Sequence, residues 1–380
     1  MFTIYHNFPV SKTENKSESI FEFSSNGIEK ALENRSSEAA VQAKPKEIDP
    51  AKKNPSKPSA EKASSRPGEN KKTGINPPKS FLKYQKKYRL VAIPTYEGTF
   101  QLTHPKILYF ENGWNGYKYW MSMTPYPRGV DLYENPSIVV SNDGNTWSAP
   151  PGLKNPLVKP PKDSKAGGHY SDPHLVMRDD ILELWYRYNP AKANAKNRRL
   201  PDNSVNIYFR RRSVDGINWT PPEKLLQSKD GHLSLCELYQ DDFYETWYAT
   251  YGGALFYSQS KDAKTWSSPI RCDVPLPKGF QSYHQDMIKY GSTYYLLQTA
   301  EKTESYPFQL FLLTSNDGIH FKNSQQIYPD KSTGPWDKIS FYRSTLFIKD
   351  NQLNVYISLI IPHLNWFITK TILPIPNPAG

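Results

Sequence analysis

Ser141-Asn142-Asp143-Gly144-Asn145-Thr146-Trp147 is the stretch on which the reading of this chain turns, because it comes back. Ser213-Val214-Asp215-Gly216-Ile217-Asn218-Trp219 repeats it. Ser260-Lys261-Asp262-Ala263-Lys264-Thr265-Trp266 repeats it with Ala in the glycine place, and Ser315-Asn316-Asp317-Gly318-Ile319-His320-Phe321 is a fourth copy. In each, an Asp carboxylate suits the N–H groups of a tight turn, Gly supplies a positive φ, and Trp or Phe is placed to pack between sheets. The copies return at intervals of 47 to 72 residues. Self-similarity at such a period signals supersecondary units that bury their apolar faces only against one another.

Working outward from these turns, short alternating or apolar runs group into five units. Innermost strands read His104–Phe110, Pro173–Arg178, Leu233–Gln240, His284–Tyr290 and Ser344–Asp350. Second strands follow at Tyr117–Thr124, Leu182–Tyr188, Phe243–Tyr251, Thr293–Ala300 and Leu353–Ile361. Third strands run into the repeated turns at Ser137–Ser141, Val205–Arg211, Ala254–Ser258 and Phe308–Thr314. The fifth unit has a third strand, Trp366–Leu373, but no such turn. The early run Tyr88–Pro94 is therefore predicted to close the ring as its missing outer strand, removing an open sheet edge. The predicted fold is all-β: a five-bladed β-propeller over residues 86–380, preceded by a disordered, basic, Pro/Lys/Ser-rich tail over residues 1–85.

Composition agrees. The 380 residues include 26 Tyr, 9 Trp and 33 Pro, a balance that favours strands over helices. Lys44 to Lys79 is too poor in large apolar groups to offset the entropy of ordering. Two short exceptions in the tail are Phe2–Phe8, a candidate docking peptide for a larger assembly, and Ile20–Leu32, a candidate weak helix. The formal net charge is +11, and Ala51–Gln85 alone carries nine Lys/Arg against two Asp/Glu. That surplus reads as solvated linker, and no nucleic-acid partner is expected. The first residues lack a basic stretch followed by an apolar one, so no secretory signal is expected and the protein is expected to be cytoplasmic or particle-associated. No run approaches a membrane span. Cys236 and Cys272 fall on the inner and outer strands of one blade, roughly 14 Å apart, and are expected to be free buried thiols.

The topology selects one face. The loops joining second to third strands and those entering the innermost strands share it, and the long loops Pro125–Pro136, Asn189–Asn203 and Glu301–Pro307 are of the first kind. A ligand pocket at that mouth of the central channel is expected. Aligning the innermost strands by their turns places His104, Asp172, Ser234, His284 and Arg343 at one level. Lys106, His174, Cys236, Asp286 and Thr345 stand two residues deeper. Positions that only packed would be apolar; these are polar or ionisable, as a site requires, although a hydrogen-bonded plug joining the blades would use the same residues. Tyr170, Tyr283, Trp114, Tyr126, Tyr133 and Trp336 are candidate stacking platforms for sugar rings, and Lys192, Lys196, Arg198 and Arg199 form a basic loop.

The repeated turns resemble the Asp-box of sialidases and other propellers. Ser171-Asp172-Pro173-His174 resembles the second-blade motif of five-bladed glycosidases, and over residues 86–380 the chain resembles the superfamily of glycoside hydrolase families 43, 62, 32 and 68. The resemblance implies a glycosidic bond attacked by carboxylates from the starts of the blades. Asp172 would orient the acid or stabilise the transition state, and Glu237 would be the general acid. The expected first-blade Asp is replaced by His104, which would serve as base, with Glu134 or Asp230 as substitutes. His174, His284, Asp286, Arg343, Glu134, Tyr170 and Tyr283 would contact the substrate. No cofactor is required; His284 resembles a fourth-blade His that holds a channel cation in some family 43 enzymes, so a structural cation beside it is allowed. A sialidase reading would need six blades and three inner-strand Arg, which the chain lacks. The expectation is a carbohydrate-active propeller, glycoside hydrolase-like; the alternative is a non-catalytic glycan- or receptor-binding protein, such as a virion or phage tail component.

Overall fold

The computed structural model describes residues 76–192, 205–228, 232–302, 305–329, 336 and 339–376. The chain divides into Met1–Asn70 and Lys71–Gly380, and the described residues belong to the second unit. The candidate docking peptide and weak helix therefore lie outside the described residues, as do Lys196, Arg198, Arg199 and Asp230. Among the described residues no helix is long and apolar enough to cross a membrane.

Five antiparallel sheets form the blades. Blade one holds β1 (Leu102–Trp114), β2 (Tyr117–Pro125) and β3 (Ser137–Ser141). Blade two holds β4 (His169–Arg178), β5 (Ile181–Asn189), β6 (Asn206–Ser213) and β7 (Glu223–Ser228). Blade three holds β8 (Leu233–Gln240), β9 (Phe243–Ala249), β10 (Leu255–Ser260) and β11 (Ile270–Arg271). Blade four holds β12 (Phe280–Tyr290), β13 (Thr293–Lys302), β14 (Ser305–Ser315) and β15 (Lys322–Gln326). In blade five, β16 (Ser340–Phe341) and β17 (Thr345–Lys349) pair with β18 (Gln352–Ile361) as two halves of one innermost strand, and β19 (Asn365–Pro374) flanks β18 outside. The innermost strands touch in the order β1, β4, β8, β12, β17 and back to β1, which closes the ring at five blades.

The Asp-box turns are built alike. Asp143 Oδ1 accepts the backbone N–H groups of Asn145 and Thr146, both at 2.7 Å. Asp215, Asp262 and Asp317 repeat this at 2.7–2.8 Å. The leading Ser hydroxyl accepts the N–H three residues on, at 2.8–3.0 Å. Each box is also the seat for an aromatic from the blade before it. Trp120 of blade one covers Gly216, where a Cβ would stand 2.1 Å from its ring. Trp247 of blade three donates its indole N–H to the Gly318 carbonyl at 2.7 Å, and Tyr356 of blade five donates to the Gly144 carbonyl at 2.6 Å. Trp185 of blade two packs in one cluster with Ala263, which holds the glycine place at φ 64°. The repeat is thus a latch between blades as well as a turn.

Closure follows the predicted route with one correction. Residues 90–93 run beside β19: the Val91 N–H bonds to the Ile368 carbonyl at 2.8 Å, and Val91 and Ile93 join the core shared by blades five and one. They form no regular strand. The ordered chain also starts before residue 86, because helix α1 (Lys79–Tyr88) precedes this run. Phe81 and Tyr88 form a buried stripe at helical spacing, Phe81 packs edge-on against Phe367 at 5.3 Å, and Arg89 ends the helix in the left-handed region. Composition hid α1, since its exposed face is Lys-rich like the segment before it. Cys236 and Cys272 are free and buried, as expected.

The latch yields a stability prediction. Gly216→Ala forces a left-handed residue and a methyl into Trp120, so the propeller should lose roughly 2–4 kcal/mol in a denaturant titration. An unchanged midpoint would disprove the latch.

Candidate functional site at the channel mouth

Every innermost strand breaks register at the same level. The shifts fall between Thr103 and Lys106, Ser171 and His174, Leu233 and Cys236, and Ser282 and His284. In blade five the ladder lapses between Phe341 and Thr345. An extra residue in a strand re-aims its side chain, and here His104, Asp172 and Ser234 take φ of 53°, 50° and 51°, a strained setting for L-residues. The five residues aligned by sequence do converge. Asp172 Oδ1 accepts the Ser234 hydroxyl at 2.5 Å and lies 3.3 Å from Arg343 Nη1, 3.5 Å from His104 Nε2 and 3.6 Å from His284 Nδ1. Its Oδ2 takes Arg187 Nη2 at 2.9 Å and the Ser171 hydroxyl at 3.0 Å. All of these groups but Arg187, which is slightly more open, are almost wholly buried.

Burial alone would raise the Asp172 pKa; Arg187 above all, with His104, His284 and Arg343, holds it well below the usual carboxylate range. Burial keeps the imidazoles neutral, lowering His104 to about 3 and His284 well below its ordinary value. Ser234 spends its proton on Asp172, so His284 Nδ1–H donates to the Ser234 oxygen, leaving a lone pair on Nε2. His104 Nδ1 lies 3.0 Å from the Thr124 hydroxyl and 3.3 Å from Glu134 Oε1. Neither His104 Nε2 nor His284 Nε2 has a hydrogen-bond partner. Glu134 lies on the far side of His104, 4.0 Å from His169 Nε2, and burial raises its pKa well above the carboxylate range. Tyr283 and Tyr342 each stand 4.4 Å edge-on to the His284 ring, and Trp366 links Tyr342 to Tyr126 at 5.0 and 4.7 Å.

Among the described residues, two donor sets of metal-binding type emerge. His104, Asp172 and His284 present atoms within 4.8 Å of one another, as do His174, Cys236 and Asp286. The first set leaves two imidazole nitrogens, His104 Nε2 and His284 Nε2, unpartnered near an ionised carboxylate, although Asp172 itself already accepts Ser234, Arg343, Arg187 and Ser171. The second set leaves no such nitrogen. Asp286 already accepts Lys106 Nζ at 2.6 Å, the Thr345 hydroxyl at 2.7 Å and the Leu346 N–H at 3.1 Å, and both His174 nitrogens are engaged. Lys106 is itself the cation of that layer. His174 and Asp286, expected to touch substrate, thus belong to a hydrogen-bonded floor.

Four further residues are placed differently from expectation. Glu237 pairs regularly with Thr246 after the bulge, so it stays one residue out of phase with Cys236 and does not turn to the mouth. Its Oε2 lies 4.0 Å from His174, neither oxygen has a hydrogen-bond partner, and burial raises it to about 8. Tyr170 packs with Tyr186 and Tyr188 on blade two, at 5.3 and 5.4 Å. Trp114 packs edge-on against Trp120 at the other end of β1, and Trp336 packs against Tyr88 and Phe341. Sequence reading missed Arg187, Thr124, His169, Tyr342 and Trp366. Arg187 had a signal, as a cation within the apolar second strand of blade two.

The fold and this bulged ring define the class: a five-bladed propeller with the architecture of glycoside hydrolase families 43 and 32, shared by a deacetylase. No protein-family model matches the chain. It is 27% identical over 301 residues to the A type blood N-acetyl-alpha-D-galactosamine deacetylase of Flavonifractor plautii, covering 65% of this chain and 38% of the relative. The chain therefore spans about two fifths of that relative's length. The crystal structure of an N-acetylgalactosamine deacetylase from F. plautii with blood group B trisaccharide superposes with a TM-score of 0.62 at 20% identity, covering 74% of this chain and 93% of that one. A GH43B protein of the Bacteroides ovatus xyloglucan PUL gives 0.53 at 10% identity, over 74% and 54%.

The placement of Glu237 has a measurable consequence. Its folded pKa is raised above the ordinary 4.5 to about 8, so the stability that its protonated form contributes is present below 4.5 and lost as pH rises through 8. Glu237→Gln keeps the shape without the titration. Its melting temperature relative to wild type should rise between pH 5 and pH 8.5; a pH-independent difference would place an ionised carboxylate there at both pH values.

Proposed function

We propose that this propeller hydrolyses an N-acyl group on a sugar bound at the channel mouth, acting as a carbohydrate N-deacetylase. One observation carries the reading: the imidazoles of His104 and His284, each with an Nε2 that has no hydrogen-bond partner, flank the ionised carboxylate of Asp172, and a second carboxyl group of raised pKa lies across His104. The named activity of the Flavonifractor relative supports it. A divalent cation held by those three residues would supply Lewis-acid polarisation of an amide carbonyl and acidify a water molecule.

The chain's own groups would do the rest. Arg187 and Arg343 keep Asp172 ionised, Ser234 holds the His284 ring through Nδ1, and Thr124 holds His104. Glu134, made more basic by burial, would in its ionised form take the proton of the attacking water and pass it to the amine as the C–N bond breaks. Acetate and the free amino sugar leave. Tyr126, Tyr283, Tyr342 and Trp366 offer ring edges and faces for the apolar side of a sugar.

A glycosidase is the second reading, favoured by Asp172 and Glu134 flanking His104 from two sides. It would have to use Glu134 in place of Glu237.

Incubation with N-acetylated oligosaccharides and a divalent metal separates the two. Release of acetate with a new primary amine supports the first reading. New reducing ends support the second, and binding without either product indicates a recognition module. Glu134→Gln should lower acetate release by about 10²–10⁴-fold. A chelator should abolish release, and added metal should restore it; activity indifferent to both would sink the proposal.

A further inference from the structure

Arg343 sits where the innermost strand of blade five has no ladder, between β16 and β17, yet it is 1% exposed and reaches across the channel. Its guanidinium is fixed by other blades. Nη2 lies 3.0 Å from His174 Nδ1 on blade two and 3.0 Å from the Leu235 carbonyl on blade three, and Nη1 faces Asp172 at 3.3 Å. A guanidinium only donates, so His174 Nδ1 must be an acceptor. The His174 proton therefore sits on Nε2 and is donated to the Glu237 carbonyl at 3.0 Å; the Glu237 N–H, 3.2 Å away, finds no lone pair there. The same Glu237 thus serves through its backbone, whereas its side chain stays out of the mouth.

We infer that His174 is a positioning residue of the mouth site: locked as the Nε2–H tautomer by the backbone of blade three, it presents the Nδ1 lone pair that aims Arg343 at Asp172. Lys106 and Asp286, in the layer around His174, are committed to each other, and Cys236 lies 3.6 Å from Asp286. His174 Nδ1 and the Leu235 carbonyl together hold that edge of the guanidinium, and His174 is its side-chain partner.

The inference about catalysis rests on the deacetylase reading; the tautomer does not, and the test separates them. In the full-length wild type labelled with ¹⁵N-histidine, His174 should show a protonated Nε2 and an unprotonated Nδ1. A protonated Nδ1 overturns the inference whatever the protein's activity. In the variants, His174→Asn puts a side-chain oxygen where Nδ1 stood, whereas His174→Leu offers no acceptor. The Leu variant should lose roughly 10- to 100-fold in kcat for N-deacetylation and in divalent-metal affinity, and the Asn variant should stay within about threefold of wild type. Equal losses in both, at equal melting temperatures, would reduce His174 to packing and overturn the inference. If the wild type deacetylates nothing, the enzymatic reading falls, while the nitrogen shifts still decide the tautomer.

Discussion

A carboxylate buried on the axis of a propeller has no bulk water to turn to, and Asp172 meets that constraint by drawing a polar group from every blade. His104 comes from blade one, Arg187 and Ser171 from its own blade, Ser234 from blade three, His284 from blade four and Arg343 from blade five. Two guanidinium groups outweigh the desolvation that would otherwise neutralise it. The convergence requires every innermost strand to give up a ladder position at one level. The ring of bulges is therefore a condition of the charge at its centre.

That strain is tolerated because the blades are latched elsewhere. On the opposite face, each Asp-box places a glycine-sized seat under the aromatic of the preceding blade, as with Gly216 under Trp120 and Gly318 under Trp247. Blade three departs from the pattern with Ala263 in the left-handed region, buried between Trp185 and its neighbours. The methyl adds burial where the backbone conformation costs, and the two effects are of similar size, about 1 kcal/mol each. The geometry of the candidate site at one face and stability at the other are carried by different parts of the same repeat.

The chemistry of the mouth follows from which lone pairs are spent. In the lower layer Lys106, Thr345 and Leu346 satisfy Asp286, and Arg343 and a backbone carbonyl satisfy His174; that layer is a floor. In the upper layer Ser234 and Thr124 engage one nitrogen of each imidazole and leave the other bare. An inverting or retaining glycosidase needs two carboxyl groups on opposite sides of the scissile bond. Here Asp172 is held ionised among cations while burial raises the pKa of Glu134, a division that either acyl transfer to water or glycoside hydrolysis can use.

The repeated Ser-x-Asp-Gly turns and the period-two runs between them determined five blades, and the turn positions alone aligned His104, Asp172, Ser234, His284 and Arg343, because turn chemistry and strand alternation are local. Helix α1 escaped notice because its apolar residues, Phe81 and Tyr88, are sparse in a Lys-rich stretch, and only contact with Phe367 gives them meaning. Glu237 looked catalytic from its neighbourhood in sequence; whether the bulge fell before or after it decided which way it points, and strand pairing sets that. Arg187, Tyr342 and Trp366 reach the mouth from a second strand, a strand gap and an outer strand, distances along the chain that no local pattern encodes. Local physics thus fixed the blades and their order. Which lone pairs and charges meet at the axis was decided by the packing of five sheets, since a buried donor finds its acceptor only once the blades are in place.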